Sequence, residues 1–479
     1  MTRRWTLVAA CVISSGCAIG PRYTRPPAET PDAFKELADN DQWKMATPHD
    51  DQAKGAWWEI FGDPELNALE SLVEINNQNV KQAQAQFREA HMAVLGNRAN
   101  AYPRIDVSPT LTHTATGANG GKGGSASFTT FALPVDVSWE PDLWGRVRLA
   151  VDGAVGAAQV SAADLENIRL SEQALLAADY FALAAEDMQE ALLTDTIDAY
   201  RRNLQLTTDR YNAGVASRSD ITLAQAQLAS ATAQSIDLRA ARAQFEHAIA
   251  VLTGRPPAAL QIGATRIDGP PPPVPIAIPS ELLERRPDIA ASERQIAVAN
   301  ANVGLAMTAY YPTLQLSASP ALIAQNLGSL ISWASHSLTA SAQLSQTAAD
   351  FGRRHAALEG ARAAYDASVA AYRETVLSAF QEVENDLASL RYLAEEAGQQ
   401  QQAVVAAQQS LNLELDRYRA GTESYLNVIT TQIILLTDQQ TAVTILQRRL
   451  AAAVDLIKAV GGGWDASMLP SPETLRSSR

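Results

Sequence analysis

Six residues near the middle of this chain recur close to its end. Asp209-Arg210-Tyr211-Asn212-Ala213-Gly214 and Asp416-Arg417-Tyr418-Arg419-Ala420-Gly421 lie 416 − 209 = 207 positions apart, and each closes a long helical pattern at a glycine. Glycine there avoids the Cβ clash of the left-handed C-cap conformation. A second helical pattern starts soon after Gly214 and after Gly421, so each copy is the tip of a helical hairpin.

Other pairs keep the spacing. Trp144-Gly145-Arg146 aligns with Phe351-Gly352-Arg353 at 207, and Ala101-Tyr102-Pro103 with Tyr310-Tyr311-Pro312 at 209. The chain is a tandem duplication of roughly 200 residues, each half reading helix, strand, strand, long helix, tip, helix, and that period excludes short solenoid repeats. With 47% hydrophobic and only 6% aromatic residues, the composition favours helix over sheet. A formal charge of −14 argues against a nucleic-acid partner, which would need a basic face.

The first 16 residues read as a secretory signal, with Arg3 and Arg4 before an apolar stretch from Trp5 to Ile13. Ser14-Ser15-Gly16-Cys17 resembles a bacterial lipobox, with Ser14 at the usual Leu position and Cys11 as an alternative thiol. That resemblance implies a diacylglycerol and an N-acyl chain on Cys17, and Ala18 after it implies sorting to the outer membrane. Acylation of Cys17 leaves the mature chain without a disulfide. No later apolar run approaches the ~18 residues of a transmembrane helix, so any deeper membrane role falls to β-strands.

Prolines between Ile19 and Pro27 favour an extended tether. Trp57-Trp58-Glu59-Ile60-Phe61 then reads as a packed collar, with Asp63 as N-cap and Pro64 opening a helix. A helix from Asn79 to Ala101 leads into period-two segments: Ile105, Val107 and Leu111 alternate with polar residues, as do Phe131, Leu133, Val135, Val137 and Trp139. The glycine-rich 117–124 between them, despite Lys122, lacks the pattern of a phosphate loop. In the second half Leu314, Leu316 and Ala318, then Leu338, Ala340, Ala342 and Leu344, repeat the alternation. Four amphipathic strands result, with bends or frayed ends expected at Pro109, Pro134 and Pro320.

After each strand pair comes a proline-free helical pattern, 145–212 and 352–420. At ~1.5 Å per residue each is a rod of roughly 100 Å. In the second rod Tyr365, Val369, Tyr372, Val376, Phe380, Val383, Leu387 and Leu390 recur at coiled-coil spacing. Helices return over 220–254 and 427–460. The chain thus divides into signal 1–16, tether 17–56, first repeat 57–268 (strands 104–116 and 126–140, tip 209–219), proline-rich crossover 269–286, second repeat 287–463 (strands 313–323 and 337–347, tip 416–426) and tail 464–479.

Four strands cannot close a barrel, since closure starts at about eight. Two chains would give a filled barrel and three an open lumen, so a conduit requires at least a trimer. The expected fold is mainly α with β: antiparallel coiled-coil helices forming a periplasmic tube, and four strands per chain shared in a trimeric β-barrel.

Ile278-Pro279-Ser280-Glu281-Leu282-Leu283-Glu284-Arg285-Arg286-Pro287-Asp288-Ile289 resembles the hallmark of the outer-membrane factors, the TolC-type efflux channels, in their NodT-like lipoprotein branch. Gly20-Pro21-Arg22-Tyr23, the Trp57-Trp58 collar and Trp139-Glu140-Pro141-Asp142-Leu143-Trp144-Gly145-Arg146 carry the same resemblance. It implies a homotrimer in the outer membrane with a twelve-stranded barrel, a periplasmic adaptor protein and a proton-driven inner-membrane pump. It also implies a closed end near the tips, where Asp220 and Tyr418 match positions that link neighbouring helices. The family's acidic ring does not carry over: Asn427 and Thr430 stand at its positions, and Glu423 replaces a basic partner. Asp220 reads equally as a helix N-cap, and one carboxylate can do both.

An enzymatic constellation is missing: His49, His91, His113, His247, His336 and His355 are scattered singly, and there is no nucleophile elbow. The reading is a passive exit duct with no cofactor beyond its lipid. Alternatives are a protein-secretion duct of the same architecture, or a lipid-anchored coiled-coil scaffold, which leaves the strands unexplained.

Overall fold

Asp63 and Pro64 begin the first helix for the reasons their chemistry gives. The Asp63 carboxylate accepts from the N–H groups of Glu65 and Leu66 at 2.8 and 3.1 Å, and Pro64 fills the first turn, where no donor is needed. The protein is described here as a computed structural model covering residues 19–37, 56–117, 126–267, 269–274 and 279–477. Cys17, the histidine at 49 and most of the 117–124 loop lie outside the described residues.

In the first repeat α1 (Pro64–Asn76) and α2 (Gln78–Ala99) lead to β1 (Arg104–Val107), β2 (Thr110–Thr116) and β3 (Ala126–Trp139). The rod α3 (Arg146–Asn212) follows, then its return α4 (Arg218–Leu252). The second repeat has α5 (Leu282–Arg285), α6 (Pro287–Thr308), β4 (Thr313–Ala324), α7 (Leu327–Leu330), β5 (His336–Ser345), the rod α8 (Arg353–Arg419) and its return α9 (Tyr425–Ala459). A short α10 (Pro472–Ser477) ends the described chain. Both rods are 67 residues long and both returns 35. The returns start at Arg218 and Tyr425, two residues before the positions expected, because Ser217 and Ser424 stand at the N-caps.

Among the described residues one antiparallel sheet holds all the strands, with β3 and β4 central, β5 on one edge, and β1 and β2 on the other. β1 and β2 share a single register on β3 and are one strand divided at Ser108-Pro109, where Ser108 N–H donates to the Pro134 carbonyl at 3.3 Å and Pro134, lacking an N–H, cannot return the bond. The strands run on through Pro134 and Pro320, where bends or frayed ends were expected. Each proline forgoes one ladder bond without ending its strand.

The core lies at the collar. Trp57 and Trp58 are buried edge to face at 5.8 Å, beside Tyr180 and Phe181 of α3 and Tyr372 and Phe380 of α8. Tyr180 donates its phenol proton to Asp63 at 2.7 Å. Tyr372, Val376, Phe380, Val383, Leu387 and Leu390 are buried along α8, as their spacing requires. The 19–37 strap is extended: Ile19 N–H bonds the Trp144 carbonyl at 3.3 Å, Tyr23 reaches Glu293, and Phe34 is buried on Phe380. The 464–477 tail also packs, burying Trp464 and Leu475, and Arg476 pairs with Asp152 on α3.

The duplication extends to side-chain contacts. Asn77, the N-cap of α2, donates to the Leu252 carbonyl at 3.0 Å; Arg286, the N-cap residue of α6, donates to the Ala459 carbonyl at 2.9 Å. Residue 286 is 77 + 209 and residue 459 is 252 + 207. Beside each joint a left-handed glycine, Gly254 (φ +68°) or Gly461 (φ +98°), sits where a Cβ would collide with the carbonyl of Asn76 or Arg285. The joint is the same; in the second repeat it carries a charge.

Candidate conduit and periplasmic mouth

Register decides which strand residues share a face. Ile105, Val137, Ala318 and Ala340 form one row across the sheet, and Trp139, Leu316 and Ala342 another, all on the apolar face. From Trp139 to Phe131 that face runs about 27 Å along β3, the reach of a tilted membrane-spanning strand. Ile105, Val107, Leu111, Leu338 and Leu344 are exposed on it in the single chain. The opposite face is polar. Asp106 lies directly across from Asp136, their repulsion offset by Arg104 on Asp106 at 2.8 Å and by the Ser319 hydroxyl on Asp136 at 2.6 Å. Ser317 and Ser341 bond at 2.8 Å on the same face. A sheet greasy on one side and hydrated on the other, with both edges open, is a wall segment of a water-filled barrel.

At the far end of the rods both tips close identically. Gly214 (φ +76°) and Gly421 (φ +78°) follow the helix ends, with Val215 N–H returning to the Arg210 carbonyl at 2.9 Å and Thr422 N–H to the Arg417 carbonyl at 3.0 Å. Ser217 caps α4, accepting from the Asp220 N–H at 3.2 Å, and the Asp220 carboxylate accepts from the Ser217 N–H at 3.0 Å. Asp220 is thus the third residue of a capping box, not the N-cap itself.

Tyr418 is buried, its hydroxyl 3.3 Å from that of Thr207 and its ring 5.2 Å from Tyr425. Within one chain it is not hydrogen-bonded to Asp220. The sequence reading missed Arg210, whose guanidinium lies 4.6 Å from the Tyr418 ring centre and donates to the Arg419 carbonyl at 3.2 Å. Arg210 belongs to the repeated motif, but no local signal says that the two tips are neighbours. Burial raises the Tyr425 phenol to about 12, helped by Tyr418 and by the field of Asp220. Asn427 donates to Glu423 at 2.7 Å, and the Thr430 hydroxyl turns back to the Leu426 carbonyl at 2.9 Å. Glu423 is therefore held by its own turn and by Asn427.

The buried carboxylates lie elsewhere. Glu70 of α1 is fully buried with neither oxygen hydrogen-bonded, and burial raises it to about 9. Asp386 of α8 rises to about 7 through burial and then the charges of Asp455 and Glu382. Among the described residues no group of side chains has the makings of a metal site, and no helix is long and apolar enough to cross a membrane.

Duplicated helical hairpins carrying a barrel wall segment define a membrane-embedded conduit with a long tubular extension. The chain matches the outer membrane efflux protein family over residues 69–255 and 278–462, and it belongs to that family. Among its relatives, the pyoverdine export outer membrane protein OpmQ of Pseudomonas aeruginosa is 29% identical over 96% of this chain and 97% of its own. The toluene efflux pump outer membrane protein TtgC of Pseudomonas putida is 27% identical over 96% and 95%. The outer-membrane channel OprN has a similar structure, with a TM-score of 0.86, 26% identity, and coverage of 94% of this chain and all of that one. Campylobacter jejuni CmeC shares the fold at a TM-score of 0.88. The protein is an outer-membrane efflux channel extending into the periplasm, in a family of channels, not enzymes, that work as trimers in tripartite efflux systems.

Proposed function

We propose that this channel is a passive, lipid-anchored exit duct for small toxic molecules, fed by a periplasmic adaptor and a proton-driven inner-membrane pump. The open-edged sheet with its exposed apolar face carries this reading: it makes sense when sister chains supply the missing strands and lipid covers the outside. Small molecules are favoured as cargo because relatives are named for pyoverdine and toluene. Ile19 is tied to Trp144, just beyond the end of β3, so an acylated Cys17 two residues earlier would enter the membrane where the barrel does.

The native mass of the mature protein in mild detergent tests this reading. Three chains, each carrying three acyl chains on Cys17, are expected; a monomer with an unmodified Cys17 would refute it.

The mouth is held shut at the tips, where Asp220, Tyr418, Glu423, Asn427 and Thr430 gather on the hairpin ends. Arg210 joins one tip to the other, so Arg210→Ala should loosen the mouth more than Tyr418→Phe, which loses only the Thr207 contact. In planar bilayers both variants should conduct better than the parent, Arg210→Ala by roughly several-fold, consistent with the loss of about 1–2 kcal/mol of closed-state contacts. Parental conductance in both would remove these residues from the gate.

A further inference from the structure

Helix packing tells which side of the tube faces its interior. α3 packs against α4 on one flank and α9 on the other, and α9 lies between α3 and α8. The collar covers the outer side of both, burying Ala177 and Tyr180 of α3 and Leu450, Val454 and Ile457 of α9. Residues that stay exposed at that level line the conduit. On α3 these include Leu175, 50% exposed, and the half-buried Asp179, four residues on and therefore on the same face.

The duplication supplies a comparison. Asp179 recurs 207 residues later as Asp386, but its frame does not recur. Asp386 has around it the charges of Glu382 on its own helix, Asp455 and Lys458 on α9, and Arg286 at the start of α6. In the first repeat Leu175 takes the place of Glu382, Ala248 and Val251 of α4 take those of Asp455 and Lys458, and Asn77 that of Arg286. All four are uncharged, and Val251 is 64% exposed. Burial alone shifts the Asp179 carboxyl, raising it to about 6, so at pH 7 it is largely ionised, and among the described residues no ion pair holds it. The carboxylates two turns away on the same helix are Glu172, held by Asn77 and Asn79 at 2.8 Å, and Glu186. One wall of the conduit sets its aspartate in apolar surroundings; the other sets it among charges.

We infer that Asp179, framed by Leu175, Ala248 and Val251, is a contact site for amphipathic cations travelling through the conduit, and that the Asp386 wall is not. This rests on the trimeric conduit reading, which repeats the site three times around the lumen, and adds to it a class of cargo. A carboxylate open to water holds a hydrophilic cation weakly, and an isolated apolar patch holds a small apolar solute weakly. A solute carrying a positive charge on an apolar body gains from both. Weak binding suits a duct, since a solute held tightly would not leave.

The test is saturation-transfer NMR on the full-length trimer in nanodiscs of zwitterionic lipid, with empty nanodiscs as the baseline. Three probes separate the contributions: phenyltrimethylammonium has a charge and an apolar ring, tetramethylammonium the charge alone, and benzoate the ring with the opposite charge. Phenyltrimethylammonium should bind more tightly than either of the others by about three- to tenfold, the share of one exposed ion pair or one apolar contact. Asp179→Asn and Leu175→Glu should each remove that preference, whereas Asp386→Asn should keep it. Leu175→Glu gives the first wall the carboxylate of the second and makes the lumen more acidic. A merely electronegative lumen would therefore bind the cation more tightly in Leu175→Glu and more weakly in Asp386→Asn. Either of those results, or equal affinity for the three probes in the parent, overturns the site. Each variant is compared as a trimer of parental native mass; a monomeric parent would instead overturn the conduit reading.

Discussion

Replacing Arg286 by alanine is expected to destabilise the folded chain by about 3–5 kcal/mol, the usual effect of removing one member of a buried, hydrogen-bonded charge cluster. Arg286 is buried and holds three elements at once. It binds Asp288 at 3.0 and 2.6 Å in α6, Glu382 at 2.8 Å in α8, and the Ala459 carbonyl at 2.9 Å at the end of α9. Burial works against its charge, but Asp288 and Glu382 outweigh burial and hold its pKa above the ordinary value. Arg286→Lys should recover less than half of the loss, because an ammonium cannot bind two carboxylates and a carbonyl in this forked geometry. The quasi-equivalent Asn77→Ala removes a neutral amide, which donates to the Leu252 carbonyl and to Glu172 and accepts from the Asn79 and Val80 N–H groups as the cap of α2, and should have a smaller effect of about 1–2 kcal/mol. The order of the three variants in thermal unfolding, and in the yield of folded protein, checks the argument. An Arg286→Ala protein as stable as the Asn77→Ala protein would mean that the charge adds nothing to the joint.

The second large effect depends on pH. Glu70 has a folded pKa of about 9 against an ordinary 4.5, with burial as the cause. A carboxyl whose pKa is raised on folding binds a proton in the folded state that the unfolded chain has released. Stability from this group therefore falls as pH rises from about 4.5 to about 9, and is unaffected below that window. Glu70→Gln removes the titration while keeping the shape. The variant and the parent should match near pH 4.5, and the variant should be more stable by about 2–4 kcal/mol at pH 8, discounted from about 1.36 kcal/mol per unit for relaxation around the charge. Thermal midpoints in detergent across that range provide the measurement. Parallel pH profiles would show that Glu70 is not held neutral.

Much of this architecture was legible because its causes are local. Helix ends follow from the left-handed glycines Gly214 and Gly421 and from the Asp63-Pro64 start, which depend on residues within a turn. The strand faces follow from strict alternation, so the row containing Ile105 and Val137 could be read before its register was known. Pro134 and Pro320 misled because a proline's effect depends on where its missing N–H points, which only the pairing reveals. Asp220 was placed one role away, since the capping serine lies three residues upstream.

The duplicated plan is local in origin: two hairpins, two rods and four amphipathic strands that one chain cannot close. Tertiary structure decided everything that depends on which distant segments meet: Arg210 of one tip on Tyr418 of the other, Arg286 across three helices, and Glu70 sealed from water. The clearest case is Trp144 and Phe351, each an aromatic before Gly-Arg and each followed by a rod of equal length. One is packed and the other exposed, because Trp144 meets Tyr311 and Pro312 of the second repeat, whereas Phe351 meets no such partner among the described residues. Local sequence fixes conformation through near neighbours, whereas burial is set by what the fold brings alongside.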